Sequence, residues 1–252
     1  MGLSFRQGEI VAIARASGRV VVEDLAQRFG VTVQTIRRDL AGIVAAGQLD
    51  RVHGGAVARG GVSNIDYAAR ARSHAGAKAA IGRAVAALIP DNASVILNLG
   101  TTTEAVAREL LRHRNLTVLT NNMNVANILA YNPGCEVIVA GGVLRRSDGG
   151  LVGELTSGFF EQFKVDFAVI GVSALDGEGE LLDYDLAEVR VSKVIMARAR
   201  QVVLAADHSK LERRAPVRLG SLADVSVWVT DQPPPDALAA ACAAWGVRVL
   251  VG

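Results

Sequence analysis

Residues 21–43 form the stretch VVEDLAQRFGVTVQTIRRDLAGI, whose apolar residues follow the period of two short helices. Ala26 is small enough to let a second helix approach the first, and Gly30 can supply a turn with positive φ. Ile36 lies where the two helices would meet. The stretch therefore predicts a helix-turn-helix.

Two stripes of residues run along the second predicted helix. The apolar stripe consists of Val33, Ile36, Leu40, Ile43 and Val44. The other stripe consists of Gln34, Arg37, Arg38 and Ala41. Glutamine can pair with adenine and arginine with guanine in the major groove, so this stripe predicts contact with double-stranded DNA. The alternative is an ordinary solvated face, with Asp39 partly neutralising the arginines.

The residues that flank this helix complete a DNA-binding domain. Thr32 is placed to cap the helix and to contact a phosphate, and we include Thr35 among the DNA-binding residues. Residues 7–17 have helical spacing and predict the first helix of a three-helix core. Residues 48–57, QLDRVHGGAV, alternate before a glycine turn and predict a wing that brings Arg51 and His53 to DNA. The alternative for His53 is an ordinary surface residue. We expect a winged helix-turn-helix over residues 1–57.

Length and charge favour two domains. The chain has 252 residues, of which half are apolar, and its net charge is only +2. The charge is uneven, because residues 1–73 contain 10 arginines and 6 acids, whereas residues 74–252 contain 17 basic and 19 acidic side chains. The basic excess therefore accompanies the predicted winged helix, as expected for contact with a polyanion.

Several classes of protein are not favoured by the sequence. Cys135 and Cys242 stand far apart without a CxxC pair or a histidine cluster, so we expect no disulfide framework, no metal site and no cofactor. The first residues lack the apolar region of a signal peptide, and no apolar run reaches about 18 residues. We therefore expect a cytoplasmic protein that does not span a membrane.

Residues 58–76 are rich in glycine, serine and charge, and we interpret them as a linker to a second domain at residues 77–252. In that domain β-rich runs alternate with helical ones. The predicted strands are 95–99, 117–120, 137–140, 167–171, 202–206, 225–230 and 247–251. The predicted helices are 78–89, 103–111, 125–130, 187–199 and 235–245. This alternation indicates an α/β fold with a mainly parallel sheet flanked by helices, in which ligands bind at the carboxyl ends of the strands.

The loop after the first of these strands, residues 98–104 (NLGTTTE), offers a glycine, three hydroxyl groups and the N-terminus of a helix. A phosphate monoester would fit there. The alternative is a capping box, because Thr101 and Glu104 have the spacing T-x-x-E.

Other strand ends bring polar groups to the same edge of the sheet. Lys210 can neutralise a phosphate, and Asn121 or Asp207 can bind hydroxyl groups. Each has an alternative, since Asn and Asp in turns usually bond their own backbone and a lone lysine is usually solvated. The candidate effector-binding residues are Asn98, Gly100, Thr101, Thr102, Thr103, Asn121, Asn122, Gly141, Gly142, Asp207 and Lys210.

The segments VTVQTIRRDL, HGGA, GTTTEAVA, TNNMNVAN, VAGGVLRRSDGGLVGE, DFAVIGVSALD and ADHSK resemble the DeoR family of bacterial transcriptional repressors over nearly the whole chain. The resemblance implies an operator-binding domain joined to a sensor domain similar in fold to ribose-5-phosphate isomerase. It also implies a homo-oligomer that releases DNA when a phosphorylated sugar or polyol binds. Glycerol 3-phosphate is the specific effector that we expect.

The resemblance also bears on catalysis. Isomerases of this fold carry acidic residues after the strand that corresponds to residues 167–170, whereas this chain has GVSA at 171–174. Without a carboxylate in that loop we expect no general base and no enzyme. Glu188 and Lys193 are a possible remnant pair facing the pocket, or surface charge. Two alternatives stay open: an isomerase-like enzyme with a fused DNA-binding head, and a DNA-binding protein whose second domain only oligomerises.

Overall fold

The computed structural model describes residues 4–17, 19–52, 54–58 and 67–252. The chain divides into two compact units, Met1–Ala69 and Arg70–Gly252. Part of the segment that we interpreted as a linker is helical, since α4 covers Tyr67–Arg72, and residues 59–66 lie outside the described residues. The predicted domain limits at residues 57 and 77 stay a prediction.

The first unit is a winged helix-turn-helix, as predicted. Its helices are α1 (Phe5–Ser17), α2 (Val22–Phe29) and α3 (Val33–Ala45). Its strands are β1 (Arg19–Val21), β2 (Leu49–Val52) and β3 (Gly55–Ala58), which form an antiparallel sheet in the order β1-β3-β2. Ile10, Ile36, Ile43 and Leu49 are fully buried and hold the helices against the sheet.

Three residues help to fix where α2 ends and where α3 and β3 begin. Gly30 follows α2 with φ +62, a conformation that is costly for residues with a side chain. Thr32 caps α3, because its side chain accepts a hydrogen bond from the Thr35 amide. At the start of β3, a Cβ added to Gly55 would lie 1.9 Å from the backbone oxygen of Val20. The wing therefore depends on a glycine at this position.

The second unit is an α/β domain built on a seven-stranded parallel sheet. The strands of this sheet are β4 (Ser94–Leu97), β5 (Leu116–Thr120), β6 (Cys135–Val139), β9 (Val165–Ile170), β12 (Ala199–Ala205), β14 (Val227–Thr230) and β15 (Arg248–Val251). Their order is β15-β14-β12-β9-β4-β5-β6, and every neighbouring pair is parallel. All seven predicted strands are present.

Helices cover both faces of the sheet. They are α5 (Ala75–Leu88), α6 (Thr101–Glu109), α7 (Met123–Leu129), α8 (Glu154–Glu161), α9 (Leu186–Ala197) and α10 (Asp236–Trp245). In β4, Val95 and Leu97 pack with α5, α6 and α7, whereas Ile96 packs with α8, α9 and α10 on the opposite face. Trp228 lies in this second core, where its indole donates to the Ala206 carbonyl, and Trp245 packs over Gly179.

Some elements were not predicted. They are α8, the hairpin β7 (Val143–Arg145) and β8 (Gly150–Val152), and an antiparallel sheet of β10 (Ala174–Leu175), β11 (Glu180–Asp183) and β13 (Val217–Ser221). Strands of two to five residues are too short to show a clear period. Within the described ranges, no helix combines the length and apolar character needed to cross a bilayer.

Candidate functional site

The outward stripe of α3 is exposed, as its sequence predicted. Gln34, Arg37 and Arg38 are exposed, and Thr32 is exposed at the cap. Thr35 is partly buried, since its hydroxyl group lies 2.9 Å from that of Thr32. The geometry therefore presents amide, guanidinium and hydroxyl groups along one helix, which suits contact with bases and phosphates.

Asp39 does not belong to this exposed stripe. It is 8% exposed, and its carboxylate accepts a hydrogen bond from Nε of Arg6 at 2.6 Å. The ion pair ties α1 to α3. Asp39 is thus engaged inside the unit, and the arginines of the stripe project away from the core.

The wing adds a second basic residue next to the helix. Arg51 on β2 is exposed and lines the same cleft as Arg37 of α3 and Glu23 of α2. Two guanidinium groups, one from the helix and one from the wing, therefore border one cleft. His53, the other predicted wing contact, lies outside the described residues.

In the second unit, the order of the strands places a crevice between β4 and β9. From β4 the chain continues to β5 and β6 on one side, whereas β9 leads to β12, β14 and β15 on the other. Ligands of open parallel sheets bind where the order reverses in this way. The loops that follow β4 and β9 both line the crevice.

Four of the predicted effector residues meet in this crevice: Gly100, Thr101, Thr102 and Lys210. Other residues line it with them. These are Arg70, Leu99, Gly171, Val172, Ser173, Asp183, Glu188 and Ala205. Arg70 and Asp183 were missed, because neither follows a strand of the main sheet and no local pattern marks them.

The N-terminus of α6 opens at the crevice without a capping side chain. Its cap residue is Gly100, with φ +134, and no side-chain cap bond is present there. The alternative capping box does not form, because the Glu104 amide bonds the Gly100 carbonyl and its carboxylate accepts from Asn124. Thr103 lies below the crevice, where its hydroxyl group bonds the backbone oxygens of Asn98 and Gly100. The first turn of α6 is thus available to an anion.

Lys210 brings a cation to the same crevice from a short 3₁₀ helix, His208–Glu212. Among the described residues, its ammonium group has no hydrogen-bond or ion-pair partner. Loss of solvent lowers the pKa of Lys210 to about 7, and the nearby Arg213 adds to this effect. An anionic ligand would relieve both influences.

Two carboxylates reach the crevice from outside the loop at 171–174. Asp183, at the end of β11, accepts a hydrogen bond from the Ser173 hydroxyl at 3.0 Å, and Glu188 comes from α9. Burial raises the pKa of each carboxyl group, and the nearby charge of Asp183 raises the pKa of Glu188 further. The loop itself holds no carboxylate, but β11 and α9 bring two carboxylates to the crevice. Lys193 is exposed, and it is Arg145 that pairs with Glu188.

Arg145 connects the hairpin to α9. Its guanidinium group bonds both oxygens of Asp148, at 2.9 and 2.7 Å. It also bonds Asp185 at 2.9 Å and Glu188 at 2.6 Å. One arginine is thus shared by three carboxyl groups beside the crevice.

The remaining predicted effector residues do not line the crevice. Asn98 is buried and donates to the Ser192 hydroxyl at 2.7 Å, and Asn121 donates to the Leu151 carbonyl at 3.1 Å. Asn122 caps α7.

The other residues of that set also make contacts of their own. Asp207 accepts from the Ser209 amide at 3.1 Å. A Cβ on Gly142 would lie 2.1 Å from the Thr156 hydroxyl oxygen, so this glycine serves close packing, and its neighbour Gly141 accepts from that hydroxyl.

Comparison with known proteins covers both units. The DeoR-like helix-turn-helix domain matches residues 6–60, and the DeoR C terminal sensor domain matches residues 73–232. The glycerol-3-phosphate regulon repressor of Haemophilus influenzae is 43% identical over 93% of this chain and 91% of its own length. The protein of the same name from Escherichia coli K12 is 41% identical over 91% of each chain.

Solved structures were also compared with this chain. Ribose 5-phosphate isomerase A from Neisseria gonorrhoeae gives a TM-score of 0.40 at 13% identity, over 53% of this chain and 52% of that one. The family descriptions match both units, and the similarity to the two repressors extends over nearly the whole chain. The chain therefore belongs to the DeoR family of helix-turn-helix transcriptional repressors.

Proposed function

We propose that this repressor controls genes of glycerol or carbohydrate metabolism and leaves its operator when a phosphorylated polyol, glycerol 3-phosphate, binds in the crevice of the second unit. The relatives that are 41–43% identical carry the name glycerol-3-phosphate regulon repressor. The observation that carries the effector assignment is the ammonium group of Lys210, which has no partner among the described residues, in the same crevice as the N-terminus of α6, which has no side-chain cap.

The chemistry of the crevice favours a phosphate ester. The first amides of a helix bind anions through their hydrogen bonds and the helix dipole, and an ammonium group adds a full positive charge. Thr101 and Thr102 supply hydroxyl groups beside them. On the other side of the crevice, Ser173 and Asp183 offer partners for the hydroxyl groups of a polyol. A small molecule with a phosphate at one end and hydroxyl groups at the other fits both sets.

Operator contact is proposed for the exposed surface of the first unit. The contributing residues are Thr32, Gln34, Thr35, Arg37, Arg38, Arg51 and His53. Bidentate contact between arginine and guanine is worth ~1–3 kcal/mol of base discrimination. We expect Arg37→Ala to relax the preference at one operator position in a binding-site selection. Arg108→Ala removes an exposed arginine from the second unit and is the matched control. An unchanged preference in Arg37→Ala would remove this residue from the recognition surface.

Release is proposed to be a shift between two arrangements of a homo-oligomer. In one arrangement the DNA-binding domains match adjacent half-sites, and in the other, which the effector prefers, they do not. A ligand shifts such an equilibrium only through its preference for one state, typically by ~1–3 kcal/mol. The effect would appear as a lower operator affinity at saturating effector.

The experiment that tests the effector site uses Thr102→Ala combined with Lys210→Ala in the full chain. We expect operator affinity to stay at the wild-type level and release by glycerol 3-phosphate to be lost. Lys193→Ala is the control, because Lys193 is an exposed lysine outside the crevice. A double variant that glycerol 3-phosphate still releases would refute the site.

One observation supports a second candidate function. Asp183 is buried and Glu188 is partly buried in the crevice, the pKa of each carboxyl group is raised, and such groups serve as general bases in enzymes. Against this, Glu188 is held by Arg145 and Asp183 by Ser173. Incubation of the protein with pentose and polyol phosphates, followed by product analysis, separates the two. Turnover would favour an isomerase-like enzyme with a DNA-binding head.

A third possibility, that the second unit only oligomerises, is tested by thermal unfolding of the full chain. A ligand at about 100 times its dissociation constant adds ~2.7 kcal/mol to stability. We expect this stabilisation with glycerol 3-phosphate. No stabilisation by any member of a panel of phosphorylated sugars and polyols would favour the oligomerisation reading.

A further inference from the structure

Arg70 is a poorly satisfied cation at the edge of the crevice. Its side chain is 17% exposed, and its one partner among the described residues is Asp148, with 3.4 Å between Nη2 and Oδ2. Asp148 is already bound at both oxygens by Arg145. The Nε of Arg70 is buried and has no acceptor among the described residues. A buried donor without an acceptor is rare in proteins, and a bound water, ion or ligand is a common explanation for it.

We propose that Arg70 is a second cationic ligand of the phosphoryl group in the crevice, and that the corner between α4 and α5 carries the effect of binding toward the DNA-binding domain. The proposal rests on the proposed function, because it concerns the same crevice. It adds a residue that the sequence did not single out and a route by which the crevice acts.

Replacement of the contact between Arg70 and Asp148 by a contact between Arg70 and a phosphate group is favourable for both residues. A guanidinium group presents its donors in a planar fork, and a phosphate group offers three acceptor oxygens that match it. The ligand would give the Nε of Arg70 an acceptor. Asp148 would lose only a contact of 3.4 Å and would keep both of its bonds to Arg145. The exchange therefore leaves no buried carboxylate without a partner.

The corner that carries Arg70 is tied to the second cation of the crevice. Between α4 and α5, His74 has φ +52, a conformation that is uncommon outside glycine. Its ring packs edge-on against that of His208, with 5.4 Å between the centroids. His208 begins the 3₁₀ helix that carries Lys210. A ligand held by both Arg70 and Lys210 would therefore act on α4 and on this 3₁₀ helix at the same time.

Lys78 on α5 stabilises the corner between α4 and α5 through hydrogen bonds to its backbone. This lysine is buried, and its ammonium group donates to the backbone oxygens of Arg70 and Ser73. The backbone of Arg70 is thus tied to α5, so a ligand that draws on Arg70 would act on α4 and α5 together. Within the described ranges, α4 is the first helix that follows the wing in the chain. The corner is consequently the part of the second unit nearest in sequence to the DNA-binding domain.

The test compares Arg70→Gln with Arg72→Gln in the full chain. Arg72 is an exposed arginine on the same helix, so its replacement matches the loss of charge. Calorimetry with glycerol 3-phosphate gives the ligand affinity, and fluorescence anisotropy of labelled operator DNA gives the operator affinity with and without saturating ligand. We expect Arg70→Gln to lower ligand affinity about tenfold or more and to reduce the change in operator affinity at saturation. Arg72→Gln should match the wild type in both.

A second variant and a spectroscopic measurement guard against a folding defect. Arg70→Lys keeps the charge but loses the planar fork, and we expect it to bind the ligand with intermediate affinity. In the wild type, the Nε resonance of Arg70, assigned by its absence from Arg70→Gln, should shift when the ligand is added. An unshifted resonance at saturating ligand overturns the proposal.

The outcomes separate this proposal from the proposed function. If the wild type neither binds glycerol 3-phosphate nor releases DNA, the proposed function fails and this inference fails with it. If the wild type responds and Arg70→Gln responds equally, the role of Arg70 is overturned and the proposed function stands. If Arg70→Gln binds the ligand weakly yet releases DNA fully at saturation, transmission through the corner is overturned.

Discussion

Replacement of Arg145 by methionine tests how the charges beside the crevice are balanced. Arg145 bonds three carboxylates, those of Asp148, Asp185 and Glu188, over distances of 2.6 to 2.9 Å. The exposed fractions of these side chains are 9% for Asp148, 36% for Asp185 and 15% for Glu188. Methionine keeps most of the apolar length of the side chain but leaves the carboxylates without their shared cation.

The expected loss of stability follows from the burial of the network. Removal of one partner of a buried ion pair costs about 3–5 kcal/mol, because the other charge stays out of water. Asp185 is too exposed to add much, since water screens its contact with Arg145. For a unit of this size, 1 kcal/mol shifts the melting temperature by about 2–4 °C. We therefore expect the second unit of Arg145→Met to melt about 10 °C below the wild type at pH 8.

The sign of the pH dependence is also set by the network. Burial raises the pKa of Glu188 above its ordinary value of 4.5, whereas Arg145 lowers it. Without Arg145 the pKa rises further, so the variant takes up a proton at a higher pH than the wild type. A carboxyl group whose pKa is raised by folding stabilises the fold at low pH and loses this effect as pH rises. The gap between variant and wild type should hence be smaller at pH 5 than at pH 8.

Differential scanning calorimetry of the full chain at the two pH values gives both quantities. The control is Arg146→Met, because Arg146 is the exposed neighbour of Arg145 in the chain. A loss of stability in Arg145→Met no larger than in Arg146→Met would show that the network contributes nothing net. A gap that grows toward pH 5 would contradict the assignment of the cost to buried carboxylates.

Three further predictions concern single residues. Thr32→Ala removes the cap of α3 and should cost ~1 kcal/mol, measured by urea unfolding followed by circular dichroism, whereas Thr32→Asp should keep most of the stability. Gly55→Ala places a Cβ against the Val20 carbonyl and should weaken operator binding in a gel-shift assay; wild-type affinity would show that the wing tolerates the change. Because the pKa of Lys210 is about 7 and a phosphate dianion raises it, binding at pH 8 should take up a proton, and affinity should fall as pH rises above 7. Calorimetry in buffers of different ionisation enthalpy measures the uptake, and a value of zero would remove Lys210 from the phosphate site.

The elements that the sequence predicted well are those whose signals are local. Gly30, Thr32 and Ile36 each act within a few residues of their own position, as a turn, a cap and a buried contact. The five inner strands of the parallel sheet are largely buried, so they contain apolar runs that are easily recognised. The hairpin and the small antiparallel sheet were missed because their strands are too short to show a clear period. The eight-residue helix α8 was missed as well.

The candidate crevice was predicted only in part. The loop at Gly100 and the lysine at 210 follow strands of the main sheet, so the rule for open sheets located them. Asn98 and Asn121 also follow strands, but their side chains turn into the protein, where they bond Ser192 and Leu151. The chain position of a polar residue at a strand end does not determine which way its side chain points. Arg70 was beyond reach, because its place in the crevice depends on the corner that follows α4.

The two tryptophans have a practical consequence for studies of this repressor. Trp228 is buried in the core of the second unit, and Trp245 lies at the end of α10 with 40% of its surface exposed. The sequence of the first unit contains no tryptophan. Tryptophan emission therefore follows the unfolding of the sensor alone, while far-ultraviolet ellipticity follows both units. Coincidence or separation of the two curves would measure whether the DNA-binding and sensing halves lose their structure as one cooperative body.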